Sequence, residues 1–233
     1  MTIGRFTMKA FFFDQDGILY NSMPKHARAW SAVLQSHGYD YQEEDCYRNE
    51  GRTGQDVIRE LILELEHREA SEDEIWELYD EKSKLFRTLG EVEPIEGVVD
   101  VLRYLKKNKK QIWVVTGSAQ ASLLDNLNTK IGPFFDRAQM ITAFDVTHCK
   151  PDPEPYLLAW DRSKFPKKEC CVIENAPLGV RSAKAAGLYT IAVNTGPLAD
   201  AALWDEGADQ VFASMADLLA WLKQSDCITA PLH

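Results

Sequence analysis

The segment Lys9–Ser22, read as KAFFFDQDGILYNS, constrains this chain more than any other. An apolar run of strand length reads as a buried strand, and two acidic residues one apart, Asp14 and Asp16, follow it before Gly17 turns the chain away. Strand side chains alternate between faces, so Asp14 and Asp16 are expected to point the same way, roughly 6–7 Å apart at Cα, with Gln15 opposite. A phosphoryl group fits between two such carboxylates. A lone DxD also reads as a solvated acidic turn, so the rest of the chain must decide.

The 233 residues suit one large α/β domain or a core carrying a modest insertion, and 45% apolar content is enough for a real core. A net charge of −10 argues against a broad nucleic-acid face or a polybasic membrane patch. Cys46, Cys149, Cys170, Cys171 and Cys227 are scattered without CxxC spacing, which excludes a disulfide framework or a structural zinc site and fits reduced thiols. No apolar run approaches the roughly 20 residues of a membrane span, and no signal-peptide core precedes the first strand. A cytoplasmic protein is therefore expected, with neither nucleic acid nor membrane as a partner.

From Gly97 onward, short apolar runs alternate with amphipathic stretches, as a doubly wound parallel α/β sheet requires. Strands are expected at Lys9–Phe13, Gln111–Val115, Gln139–Thr142, Cys170–Ile173, Tyr189–Val193 and Gln210–Phe212. Between Pro24 and Glu91 the rhythm breaks into charged helical periodicity, with helices expected at Pro24–Ser36, near Tyr41–Tyr47, at Gln55–Glu66 and at Ser71–Thr88. The organisation expected is an α/β core of residues 1–22 and 92–233, with a helical cap of residues 23–91 inserted after the first strand. The charge run Glu64–Glu74 reads as a solvated helix face and loop, and the tail after Leu222 as poorly ordered.

Polar groups follow three further apolar strands: Thr116-Gly117-Ser118 after IWVV, Cys149-Lys150-Pro151 in the loop after MIT, and Glu174-Asn175 after CCVI. Ligand sites in open α/β sheets lie beyond the carboxyl ends of the strands, so all four constellations are expected to converge on one crevice. Taken singly, Thr-Gly-Ser is a turn and helix cap, Lys150 a surface lysine, and Glu174 a helix cap. Together they supply what phosphoryl transfer needs. Thr116 and the backbone N–H groups near Ser118 suit the phosphate oxygens, and Lys150 neutralises charge.

The order and spacing of DQDG, TGS, KPDP and EN resemble the haloacid-dehalogenase superfamily of phosphotransferases, over nearly the whole chain. The insertion after the first motif resembles the cap of its β-phosphoglucomutase-like branch, and NSMPKHARAW is similar to that branch's entry into the cap. The resemblance implies that Asp14 is the nucleophile, forming an aspartyl phosphate, and that Asp16 protonates the leaving oxygen and then deprotonates water. It implies Mg²⁺ held among Asp14, Asp16, Glu174 and Asn175. Carboxylate beside carboxylate is expected to push Asp16 toward its neutral form. The dehalogenases proper lack the second aspartate, so Asp16 implies phosphate esters or anhydrides as substrates.

The chain departs from the family pattern at Asn175, where a second metal-binding carboxylate is usual. Glu50, in the cap loop Asn49-Glu50-Gly51-Arg52-Thr53-Gly54, is expected to reach the metal when the cap closes, with Glu174 acting through a water. Glu50, Arg52, Thr53 and His26 are the cap residues expected to set specificity, and Lys84 is a further candidate for positive charge. In the mutases this loop supplies an arginine where Gly54 stands, which points away from mutase activity. Segments such as EGRTG and ENAPLGV resemble those of inorganic pyrophosphatases within the branch. The expected function is thus a monomeric Mg²⁺-dependent phosphohydrolase for a small phosphorylated substrate, inorganic pyrophosphate first. β-Phosphoglucomutase or sugar-phosphate phosphatase activity is the enzymatic alternative, and a phosphate-accepting module the alternative of another class.

Overall fold

The strand β1 (Ala10–Phe13) is buried at every residue, and it lies inside a sheet rather than at its edge. In the computed structural model, which describes residues 7–117 and 131–224, it is joined by β2 (Gln111–Val115), β3 (Met140–Ile141), β4 (Cys170–Glu174), β5 (Tyr189–Val193) and β6 (Gln210–Phe212). The order is β3-β2-β1-β4-β5-β6, and every pairing is parallel. The sheet winds one way from β1 through β2 and the other way through β4, which opens a crevice at the carboxyl end of β1. Phe13 pairs with both Val114 and Ile173, so Asp14 comes level with Val115 and Glu174.

Burial on both faces explains why β1 is continuously apolar. Phe11 and Phe13 pack with Ile112, Val114 and Ile173 against α5 (Val98–Lys107) and the last helix, α9 (Met215–Gln224). Phe12, Trp113, Val115 and Val172 pack on the opposite face against α6 (Glu154–Ser163) and α7 (Pro177–Ala185). In α5, Val98, Val101, Leu102 and Leu105 form the buried stripe. Each such fully buried side chain stabilises the fold by about 1.5–3 kcal/mol. The short α8 (Ala201–Asp205) buries Leu203 with Val180, Ala192 and Ala208.

Between β1 and β2 the chain forms α1 (Met23–Ser36), α2 (Glu43–Arg48), α3 (Gly54–Glu66) and α4 (Glu72–Thr88). These four helices share an apolar core of their own, including Trp30, Leu34, Tyr41, Ile58, Ile62, Ile75 and Leu78. Pro24 occupies the first turn of α1. The Glu64–Glu74 run is exposed for most of its length, with Arg68 paired to Glu66 and Glu74.

Differences from the sequence reading are local. α2 begins at Glu43 because the side chain of Tyr41 is buried in the helical core and the Gln42 N–H is capped by Asp45 Oδ2 at 2.8 Å. β3 is only two residues long: Arg137–Gln139 forms a 3₁₀ turn, and Thr142 turns away with its N–H and hydroxyl on Asp145 at 3.0 and 2.9 Å. β4 extends through Glu174, which pairs with Ala192. The expectations for Ser118 and for the tail beyond Gln224 lie outside the described residues. Among the described residues, no helix is long and apolar enough to cross a membrane.

Candidate active site

Three buried side chains meet where the sheet opens. Lys150 comes from the loop between β3 and α6, and its Nζ donates to Asp14 Oδ1, to Glu174 Oε1 at 2.8 Å and to the Val115 carbonyl at 3.1 Å. Burial opposes charge on Lys150, but the facing carboxylates of Asp14 and Glu174 outweigh it and hold the ammonium protonated. Burial also dominates at Asp14, pushing its carboxyl up to about 8; Lys150 offsets part of this, while Glu174 and Asp16 add to it.

Glu174, expected among the metal ligands, has its oxygens committed elsewhere. Oε1 accepts from Lys150 and from the Tyr156 hydroxyl at 2.8 Å, and Oε2 accepts from the N–H groups of Asn175 at 2.9 Å and Ala176 at 3.1 Å. It is placed as the support of Lys150.

Asp16 accepts from the Ser22 hydroxyl, and His26 Nε2 lies 3.5 Å from its Oδ1. Burial opposes ionisation of Asp16, yet contact with His26, the Ser22 hydroxyl and the charge of Lys82 together hold its carboxyl below the usual carboxylate range. This reverses the expectation that Asp16 is the carboxyl pushed neutral: His26 first, then the Ser22 hydroxyl and Lys82, favour the charged form of Asp16, while burial raises Asp14. His26 stacks on Phe86 with ring centroids 4.3 Å apart, and its Nδ1 lies 2.7 Å from Lys82 Nζ. Burial, aided by Lys82, lowers the His26 pKa.

Lys82 is the site residue that the sequence reading missed. Lys84 points outward and pairs with Asp80, whereas Lys82 is buried, with burial lowering its ammonium to about 8. A signal was available. Lys82 falls on the apolar stripe of α4, four residues after Leu78 and four before Phe86, where a solvated lysine has no place.

The loop around Glu50 and Gly51 packs directly over these groups. The Gly51 carbonyl lies 3.0 Å from where a Cβ on Gly117 would stand, so a side chain at 117 would crowd it. Glu50 is buried and accepts a hydrogen bond from Asn175 Nδ2 at 2.7 Å. Burial raises the Glu50 carboxyl well above its usual range; the Asn175 contact opposes this, and Asp14, Glu174 and Asp16 reinforce it. Arg52 is tied to Glu60 through Nη1 and also lines the enclosed space. Thr53 does not line it: its hydroxyl caps α3, accepting from the Asp56 N–H at 3.1 Å and donating to Asp56 Oδ2 at 2.6 Å. A side chain at Gly54 would stand 2.5 Å from the Tyr79 ring and 3.0 Å from Trp30, which occupy that space instead. The cavity left between cap and core is about 90 Å³, and Asp14, Asp16, His26, Glu50, Lys82 and Gly117 are among its walls. Thr116 is buried at the end of β2, its N–H on the Ile141 carbonyl at 2.9 Å.

Among the described residues, no three His, Cys, Asp or Glu side chains are arranged to hold a metal by themselves. The oxygen donors brought together are the carboxylates of Asp14 and Glu50 and the amide of Asn175, whose Oδ1 is buried with no hydrogen-bond partner. Hard oxygens, two raised carboxyls and an orphaned amide oxygen fit a small divalent cation.

A family model described as haloacid dehalogenase-like hydrolase matches residues 8–187. The chain is 30% identical to a phosphorylated carbohydrates phosphatase of Thermotoga maritima, over 79% of this chain and 84% of the relative. It is 31% identical to hexitol phosphatase A of Escherichia coli, over 80% and 83%. A solved structure from Bacteroides vulgatus, described provisionally as a β-phosphoglucomutase, superposes with a TM-score of 0.90 at 41% identity, covering 94% of this chain and 89% of that one. The match over most of the length agrees with the convergence of four strand-end motifs on one crevice, and the chain belongs to the haloacid dehalogenase-like hydrolase family, as a phosphohydrolase of that type.

Proposed function

We propose that the protein is a Mg²⁺-dependent phosphohydrolase, with residues 23–91 as its cap, that acts on a compact substrate, inorganic pyrophosphate first. The cavity carries this reading: it measures only about 90 Å³, and a carboxylate from the cap, Glu50, forms part of its wall. A small space with an acidic wall favours a compact, metal-binding leaving group such as a second phosphate.

In the reaction, Asp16, a carboxylate before substrate enters, first takes a proton from the incoming phosphate group; an oxygen of Asp14 then attacks phosphorus, the bond from phosphorus to the leaving group breaks, and Asp16 returns that proton to the departing oxygen. Asp16, then a carboxylate, takes a proton from the attacking water; phosphate leaves and the Asp14 carboxylate is restored. Lys150 balances charge beside Asp14, and Thr116, Gly117 and Ser118 provide donors for the phosphoryl oxygens. His26 and Lys82 set the ionisation of Asp16 from the cap side. Asp14, Asn175 and Glu50 are the side chains that would hold Mg²⁺, alongside Asp16 at the same turn. When bound, the cation supplies charge neutralisation for the phosphoryl oxygens.

A second reading is a phosphatase of sugar phosphates, favoured by the relatives from Thermotoga maritima and Escherichia coli, named for phosphorylated carbohydrates and a hexitol. Mutase activity is disfavoured by Tyr79 and Trp30, which fill the space that a side chain at position 54 would need. The test is kcat/KM for pyrophosphate, hexose phosphates and β-glucose 1-phosphate, with and without a bisphosphorylated activator. Pyrophosphate is expected to rank first. Preference for a hexose phosphate would install the second reading, and activator-dependent isomer formation would install the mutase.

A further inference from the structure

The cavity between cap and core has two chemically distinct sides. The core contributes Asp14, Asp16 and Gly117, and the remaining walls come from residues between Met23 and Lys82. Attacking and leaving oxygens stand roughly in line across phosphorus, so with Asp14 attacking from the core the departing group must lie on the cap side.

Among the described residues, three polar atoms on that side have no hydrogen-bond partner: His26 Nε2, which faces Asp16 at 3.5 Å, and two others, the Tyr41 hydroxyl and Arg52 Nε. Tyr41 lines the cavity and is only 3% exposed, yet its O–H donates to no acceptor. The Asn49 amide, one of whose N–H groups bonds the Asp45 carbonyl at 3.0 Å, approaches the phenol oxygen only as a donor, so the Tyr41 O–H itself has no acceptor. Arg52 lines the same cavity; Glu60 takes its Nη1, and its Nε–H is buried and unpaired. The third cap donor, Lys82, is already engaged by His26 at 2.7 Å. Buried polar groups are almost always hydrogen-bonded, and those that are not call for a specific explanation. Burial also pushes the ionisation of Tyr41 far upward, so the group is a neutral O–H able to donate.

We propose that the Tyr41 hydroxyl, assisted by the Arg52 Nε–H, selects the leaving group by donating a hydrogen bond to an acceptor oxygen on the part of the substrate that departs. This rests on the phosphohydrolase reading and narrows its substrate class: the leaving group is oxygen-rich, a phosphate or a polyol, rather than an apolar alcohol or phenol. Tyr41 lies outside the Glu50–Gly54 loop, between α1 and α2.

Tyr41→Phe keeps the ring and removes only the hydroxyl. Its kcat/KM is to be measured for pyrophosphate, glucose 6-phosphate and phenyl phosphate, whose leaving group carries no acceptor beyond the bridging oxygen. For whichever oxygen-rich donor the wild type prefers, the kcat/KM ratio over phenyl phosphate is expected to fall about tenfold, mostly through KM, because the contact is present in both ground and transition states. The thermal midpoint without substrate should not fall, since the O–H removed donates to no acceptor. An unchanged ratio, or equal losses on all donors with a lower midpoint, would overturn the leaving-group contact alone. Failure of the wild type to hydrolyse any of the donors in Mg²⁺ would overturn the parent reading and this one together.

Discussion

The side-chain amide of Asn175, at the carboxyl end of β4, donates a 2.7 Å hydrogen bond to Glu50, which the cap carries in across 125 residues of sequence. One contact thus joins the position where a second carboxylate was expected to the one carboxylate from α1–α4 and their loops that, among the described residues, lines the cavity. Its Nδ2 makes this bond, while its Oδ1 is buried with no hydrogen-bond partner.

Asn175→Asp is expected to remove the amide donor and set a second buried carboxyl against the raised Glu50, lowering the metal-free thermal midpoint by a few degrees at pH values where both must ionise and recovering the loss in Mg²⁺. Glu50→Gln keeps the shape of the latch while removing its charge, and should weaken Mg²⁺ activation about tenfold. A cycle with the double variant, read by Mg²⁺ titration of turnover, should give a coupling on the order of 1 kcal/mol or more. Wild-type Mg²⁺ dependence in Glu50→Gln would remove Glu50 from the metal site.

Asp14→Asn and Asp16→Asn should each lower turnover by orders of magnitude with unchanged circular dichroism. The double variant should lose little more than the worse single one, because both groups act on one reaction coordinate. Ordinary turnover in either single variant would refute the assignment of the aspartyl phosphate to Asp14 and of the proton transfers to Asp16.

Lys150→Met should differ from Asp14→Asn in stability as well as activity. It leaves two buried carboxyls, Asp14 and Glu174, without the cation that both contact. Breaking a buried ion pair from one side costs about 3–5 kcal/mol, which for a chain of this size is a fall of roughly 10 °C in thermal midpoint. Asp14→Asn removes a carboxyl that burial already disfavours, so its midpoint should stay near the wild-type value. Equal midpoints for the two variants would contradict this account of Lys150.

The raised carboxyl of Asp14 predicts a pH-dependent metal affinity. Because its folded pKa of about 8 lies above the ordinary 3.8, the folded protein holds the extra proton between those values. The stability contributed by that proton is present at low pH and is lost as pH rises toward 8. Mg²⁺ competes with the same proton, so its affinity should rise from pH 6 to pH 8, level off above, and be accompanied by proton release. Calorimetric titration in two buffers of different ionisation enthalpy measures both. Equal affinity at pH 6 and pH 8 without proton release would count against it.

The strands and the motif residues at their ends were legible in the sequence because they rest on local rules. A run such as AFFF, buried on both faces, has to be continuously apolar, and a parallel sheet puts whatever follows each strand at one edge. Asp14, Lys150, Glu174 and Asn175 could therefore be placed together before any coordinates, and the helical periodicity from Pro24 to Glu91 set that stretch apart from the α/β alternation, where the structure has α1 to α4. Their electrostatics could not. Only the folded chain decides that Asp14 is the raised carboxyl and Asp16 the lowered one, since burial raises both and only Asp16 has His26, Ser22 and Lys82 brought to it to outweigh that. The same holds for Thr53, whose hydroxyl is taken by the end of its own helix, and for Glu50 and Tyr41, whose meaning comes from what they face. Periodicity tells which side of a helix is buried; the docking of one helical layer on a sheet tells which polar atoms meet there and which are left without a partner.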